Sequence, residues 1–145
     1  MTLDNLVGIN LEHVTPDAMT IKRLLSATSR NIKDAQIEAL SNENSFDTAY
    51  KAIMQLANAA LQANGFRTLT SKPGHHQTMI QSLVKTIGLD RDEVIVLDAL
   101  RRQRNIADYS GDLVTDASVN ECITYAKKLS TEVRQWLTAT YPDLL

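Results

Sequence analysis

The chain has 145 residues, 43% of them hydrophobic and 22% charged, and its 17 acidic and 15 basic side chains leave a net charge of −2. That length suits one domain with a core of its own, and that balance excludes an overall charge pulling the chain toward DNA or membranes. A single cysteine, Cys122, excludes an internal disulfide, the opening "MTLDNLVGIN" lacks the basic start and unbroken apolar run of a signal peptide, and no apolar stretch approaches the roughly 20 residues that cross a bilayer; a cytoplasmic protein without membrane contact is expected.

Only five Gly and three Pro interrupt long segments with three-to-four-residue apolar spacing, which predicts an all-α fold. Residues 1–14 lack helical punctuation but are apolar at Leu3, Leu6, Val7, Ile9, Leu11 and Val14, and read as an arm lying on the bundle or on a partner. A first helix opens with Thr15 as cap, Pro16 at the first helical position and Asp17 in the first turn, runs through Ile21, Leu24, Leu25, Thr28, Ile32 and Ala35 to about Leu40, and is ended by "SNEN". A second starts at a Ser45 cap and stops at Asn64-Gly65; its alanines make it slim enough for the centre of a bundle, with Tyr50, Ile53, Leu56 and Leu61 as larger knobs. "FRTLTSKPGHH" is a loop, "HQTMIQSLVKTIG" a short third helix, and "DRDEVIVLDALRRQRNIADYSG" a fourth from an Asp90 cap to Gly111. A fifth runs from a Thr115 or Asp116 cap along Val119, Ile123, Ala126, Leu129, Val133 and Leu137 to Pro142. Short loops then imply an antiparallel up-and-down bundle of about five helices over residues 15–141.

The stretch "RRQRNIADYSG" near the end of the fourth helix looks most like chemistry. On a helical wheel Val96, Leu97 and Ala107 lie within about 60° of Leu100, and Arg104 falls inside that apolar sector, with Asp108 one turn on as its carboxylate partner. Burying an arginine is costly without such a partner, so Arg104, Asp108 and Asn105 read either as a structural polar network or as the wall of a pocket that meets a phosphate. Truncating Arg104 should cost a few kcal/mol if that network is buried. Ile95, Ala99, Ile106 and the ring of Tyr109 form a second apolar strip on nearly the opposite side, which calls for a second neighbour, for instance another subunit.

Taken together, "TAYKAIMQLANAAL" in the second helix, "SKPGHH" opening the third and "LRRQRNIADY" ending the fourth resemble a HEPN domain over most of residues 17–137. The resemblance implies a homodimeric helical bundle, a nucleotidyltransferase or antitoxin as partner, and RNA or nucleotide phosphates as ligands. The catalytic branch of that family are metal-independent ribonucleases whose motif is an Arg followed four to six residues later by a His, where the His moves the proton of an attacking 2′-OH and the Arg stabilises phosphate charge. Arg104 and Asn105 match the first half of that motif, but Tyr109 stands where His would fall, and a phenol of ordinary pKa is a poor base at neutral pH. The resemblance therefore implies a binding or interaction module first, with Arg101, Arg104, Asn105 and Asp108 as binding residues. The alternative it implies is an endoribonuclease toxin in which Arg104, Asn105 and Tyr109 carry the chemistry.

Lys72, His75 and His76 of the "SKPGHH" loop are candidates to join that pocket and return the missing acid/base group. As zinc ligands the histidines fit poorly, since adjacent helical positions point about 100° apart and no third ligand stands at the needed spacing; no metal or cofactor is expected. His13 reads as solvated, Cys122 as a small core residue, Met19, Met54 and Met79 as core fillers, and Trp136 as an anchor of the bundle. Lys22, Arg23, Arg30 and Lys33 give the first helix a local positive patch.

Overall fold

The computed structural model describes residues 2–71, 73–111 and 113–145, and for Tyr109 the backbone alone. Among the described residues the fold is five α-helices: α1 (Ala18–Ala35), α2 (Asn42–Ala63), α3 (His75–Thr86), α4 (Arg91–Ser110) and α5 (Asp116–Thr140). None is long and apolar enough to cross a membrane. As the alanine pattern predicts, α2 sits at the centre and packs on the other four; Ala49, Ala52, Ala57, Ala59 and Ala60 are wholly buried, and they let flanking helices approach. Ile53, Leu56 and Leu61 fill the space between, against Ile21 and Leu25 of α1, Ile80 and Leu83 of α3, Leu97 and Leu100 of α4, and Leu129, Val133 and Leu137 of α5.

Local signals set the later helices as expected. Asp90 caps α4 by accepting from the Asp92 N–H, Thr115 caps α5 by accepting from the Ser118 N–H, and Gly111 closes α4 at φ 72°, a left-handed conformation open to glycine. Earlier boundaries differ. Asp17, not Thr15, caps α1, because its carboxylate accepts from the N–H groups of both Met19 and Thr20. That helix stops at Ala35 rather than near Leu40. "SNEN" begins α2 instead of ending α1: Ser41 is the cap, accepting from the Asn44 N–H, and Ser45 lies buried within the helix. α3 includes His75, with Gly74 before it at φ 78°.

The arm and the loop meet. Leu11–His13 forms strand β1, paired antiparallel with β2 (Phe66–Thr68) in the register Leu11↔Thr68, Glu12↔Arg67 and His13↔Phe66. Leu11 is fully buried, an Arg67–Glu12 ion pair ties the strands on their outer face, and the His13 ring leans on Phe66. Residues 2–14 thus lie on the bundle rather than free of it, and the expected loop opens with a strand. Met19 is a second correction: at 60% exposure it fills no core gap, whereas Met54 and Met79 do. Cys122 is buried as expected, and burial pushes its thiol up to about 12, which keeps it inert.

Candidate functional site

Along the middle of α2, Asp47, Tyr50, Lys51, Met54, Gln55 and Asn58 recur at helical spacing and so line one stripe. The first turn of α3 sets His76 and Met79 opposite that stripe, and the last turns of α4 bring in Arg104. Together these side chains enclose a cavity of about 300 Å³. Its floor is apolar, from Met54, Met79 and the Tyr50 ring, and its rim is polar, the pattern of small-ligand sites.

Arg104 is half-buried, with its Cζ 5.5 Å from the centre of the Tyr50 ring, a cation–π contact. Its Nε donates to Asp47 Oδ1 at 3.1 Å, and Asp108 Oδ2 lies 3.1 Å from the same nitrogen. Both carboxylates thus crowd one edge of the guanidinium, and no described residue hydrogen-bonds its two Nη groups, the pair that grips a phosphate bidentately. Burial works against the Arg104 charge, but Asp47 and Asp108 outweigh it and hold the guanidinium more firmly protonated than usual. These carboxylates are 54% and 50% exposed, so Arg104 sits in a surface network, not the buried one that the wheel suggested.

Tyr50 and His76 form the second half of the cavity. Tyr50 Oη and His76 Nδ1 are 3.2 Å apart, and the rings are tilted with centroids at 5.9 Å. Burial pushes the phenol up to about 12 against the pull of Arg104 and Arg101, so it remains a neutral hydroxyl. Burial also lowers the His76 pKa, helped by His75, Arg104 and Arg101, and leaves the imidazole neutral at physiological pH. When Nδ1 carries the ring proton and donates it to Tyr50 Oη, Nε2 is bare and able to accept a proton.

The expected residues are placed unequally. Arg104 and His76 share the cavity, and Asp108 braces Arg104 from outside it. His75 backs His76 edge-on, with ring centroids 4.6 Å apart, but does not line the cavity. Arg101 is turned to Asp98, which also takes Arg102; burial raises the Asp98 pKa, but the two arginines overcome it and keep the carboxyl ionised. Asn105 is half-buried and takes no part in the lining. Lys72 and the Tyr109 side chain lie outside the described residues.

Sequence reading missed Asp47, Lys51, Gln55 and Asn58; Tyr50 is the buried core knob it expected, and it also lines the cavity. The signal was present as a polar stripe on an otherwise alanine-rich helix, but such a stripe equally describes a solvated face. What makes it a site is that α3 and α4 fold over it. Compared with family models, curated proteins and solved structures, the chain matches none.

Proposed function

We propose that this chain is a HEPN-like homodimeric binding module, of the kind associated with toxin–antitoxin or nucleotidyltransferase systems, and that it binds a nucleotide or RNA phosphate at Arg104. The observation that carries the reading is a guanidinium held at one edge by Asp47 and Asp108, its Nη groups unbonded by the described residues, at a cavity of about 300 Å³. That volume falls at the low end of small-molecule sites and suits a single nucleotide unit. Supporting the dimer, the second apolar strip of α4 is uncovered among the described residues: Ile95 is 66% and Ile106 57% exposed, with Ala99 exposed between them. Titrating inorganic pyrophosphate and nucleoside monophosphates while following thermal unfolding tests the binding. A rise in Tm for wild type and none for Arg104→Ala is expected; no shift in either sinks the reading.

A second reading is a metal-independent ribonuclease, and one observation favours it: His76 lines the same cavity as Arg104. A neutral imidazole there supplies the proton carrier that an ordinary phenol does not: it takes the proton of a 2′-OH as that oxygen attacks phosphorus. The P–O5′ bond breaks to leave a 2′,3′-cyclic phosphate, the departing 5′-oxygen takes the proton back from the imidazolium, and Arg104 faces the charge gathering on the phosphate. Incubation of the protein with total RNA without added metal separates the two. Cleavage lost in both Arg104→Ala and His76→Ala makes the module an enzyme, and intact RNA with wild type removes this reading.

A further inference from the structure

The cationic side chains of this protein fall into two electrostatic classes. Arg67, Arg101, Arg102, Arg104 and Lys128 each meet a carboxylate. Lys22, Arg30 and Lys33 of α1, with Lys127 and Arg134 of α5, form no ion pair among the described residues. These five converge on one place, whereas Lys51, Lys85 and Arg91, also without an ion pair among the described residues, lie on other faces. On α1, Lys22, Lys33, Ser26 and Arg30 share an arc of about 80°, turned away from buried Ile21, Leu25 and Thr28. On α5, Lys127, Thr131, Arg134 and Thr138 share an arc of about 60°; Glu121 and Glu132 lie beyond 100° from Lys127, and Asp116, at a similar angle to Arg134, stands about 16 Å along the axis from Lys127 and is bonded to Asn42.

Two side chains of α5 join the helices through three hydrogen bonds. Lys127 Nζ donates to Gln36 Oε1 at 3.0 Å, and Arg134 Nη2 donates to the Leu25 carbonyl at 3.0 Å and to Ser29 Oγ at 2.8 Å. Going up α5 means going down α1, so the helices are antiparallel and their cationic arcs face the same side. Arg134 shares a shallow hollow with Lys22, Arg30, Ser26 and Ser29, closed at one end by Leu145. Asp34, the carboxylate of α1 nearest the arc, sits about 40° past Arg30. Arg23 borders it and bonds Thr20 beside the capping carboxylate of Asp17, which spends part of its charge.

We propose that this α1–α5 seam docks the phosphodiester backbone of a nucleic-acid duplex, without reading its sequence. The charge is concentrated here despite a net charge of −2 for the whole chain, and hydroxyls between the cations add donors for phosphate oxygens. From Lys22 to Lys33 the ridge runs about 16 Å, or about five base steps at ~3.4 Å per strand. Single strands are disfavoured because no aromatic side chain stands on the ridge to stack bases: α1 has none, and Tyr125 and Trp136 lie on the other side of α5. A membrane surface is disfavoured because the apolar side of α1 is spent on the core, leaving Met19 as its large exposed hydrophobic. The seam shares no lining residue with the Arg104 cavity, so the two sites stand or fall separately.

The test is fluorescence anisotropy of labelled RNA and DNA duplexes of about 20 base pairs across a salt series. Wild type should bind with an affinity that falls about thirty-fold or more between ~50 and ~200 mM salt, the loss expected for about three phosphates neutralised. Lys22→Glu with Lys33→Glu, both exposed and outside every described side-chain contact, should weaken binding roughly tenfold or more with an unchanged Tm. Lys85→Glu with Arg91→Glu makes the same change in net charge on another face and should retain most of the affinity. Arg104→Ala should leave duplex binding intact. Absence of duplex binding by wild type at low salt, equal loss in both double variants, or binding to phosphatidylserine vesicles in place of duplexes overturns the proposal.

Discussion

The two ends of α4 carry opposite solutions to the same problem, a charged group brought against the bundle. At the N-terminal end Glu93 is 4% exposed, its Oε1 lies 2.9 Å from Lys128 Nζ, and its Oε2 is buried without a hydrogen-bond partner, as is Glu132 Oε1 on α5. Two acceptors facing each other need a proton between them. Burial first, and then Glu93, lift the Glu132 pKa to about 7 against the pull of Lys128. At the C-terminal end Arg104 has two half-exposed carboxylates and an open cavity in front of it. The closed end offers nothing to a ligand and makes stability fall as pH rises. The open end contributes little to stability and is free to recognise something. Charge on a helix is informative about function only with the packing around it.

The largest effect that sharpens this contrast is on binding. Arg104→Ala should cost at least tenfold in phosphate affinity, about 1.4 kcal/mol, while changing the unfolding free energy from urea titration by less than about 1 kcal/mol, since its ion pairs are solvent-exposed. This replaces the few kcal/mol that an inward, buried Arg104 predicted. A larger stability loss would mean that the two ends are not different in kind.

Next comes the pH response of the closed end. Glu132 has a folded pKa of about 7 against 4.5 for an ordinary glutamate, so the folded state holds a proton that the unfolded chain releases between those values. Stability should therefore fall as pH rises from about 4.5 to 7, by about 1 kcal/mol after allowing for solvent screening, and level off above. Glu132→Gln should flatten that slope in urea titrations at pH 5 and 8. An unchanged slope would remove the shared-proton account.

The open end tilts the other way. The His76 pKa is lowered from 6.5, chiefly by burial, so protonation disfavours the fold and stability is lost as pH falls below about 6.5. Because the two trends oppose each other between about 4.5 and 6.5, Glu132→Gln should unmask a downward acid slope that His76→Gln then removes. The smallest effect belongs to His75→Ala. It deletes one contributor to the His76 shift and should raise the His76 pKa slightly by NMR titration, with little change in Tm.

Locally encoded features were legible in the sequence. The Asp90 and Thr115 caps, the Gly111 stop and the alanine-rich central helix depend on residues within a turn or two of each other. The start of α2 was not, because Ser41 and Ser45 both suit a cap, and only the packing of Ser45 against the core decides between them. The pairing of Leu11–His13 with Phe66–Thr68 joins segments more than 50 residues apart, which no local pattern announces. At the site, Arg104, Asp108 and a histidine of the loop were within reach of sequence reasoning. The α2 stripe that completes the cavity was not, since its polar residues acquire meaning only once α3 and α4 cover them.

Calorimetric titration of adenosine and of its 5′-monophosphate into wild type and Arg104→Ala tests the central claim most directly. The monophosphate should bind wild type at least tenfold more tightly than the nucleoside, and that advantage should vanish in the variant. Equal affinity for both ligands, or a phosphate preference that survives Arg104→Ala, would contradict the assignment of Arg104 as the phosphate-binding group.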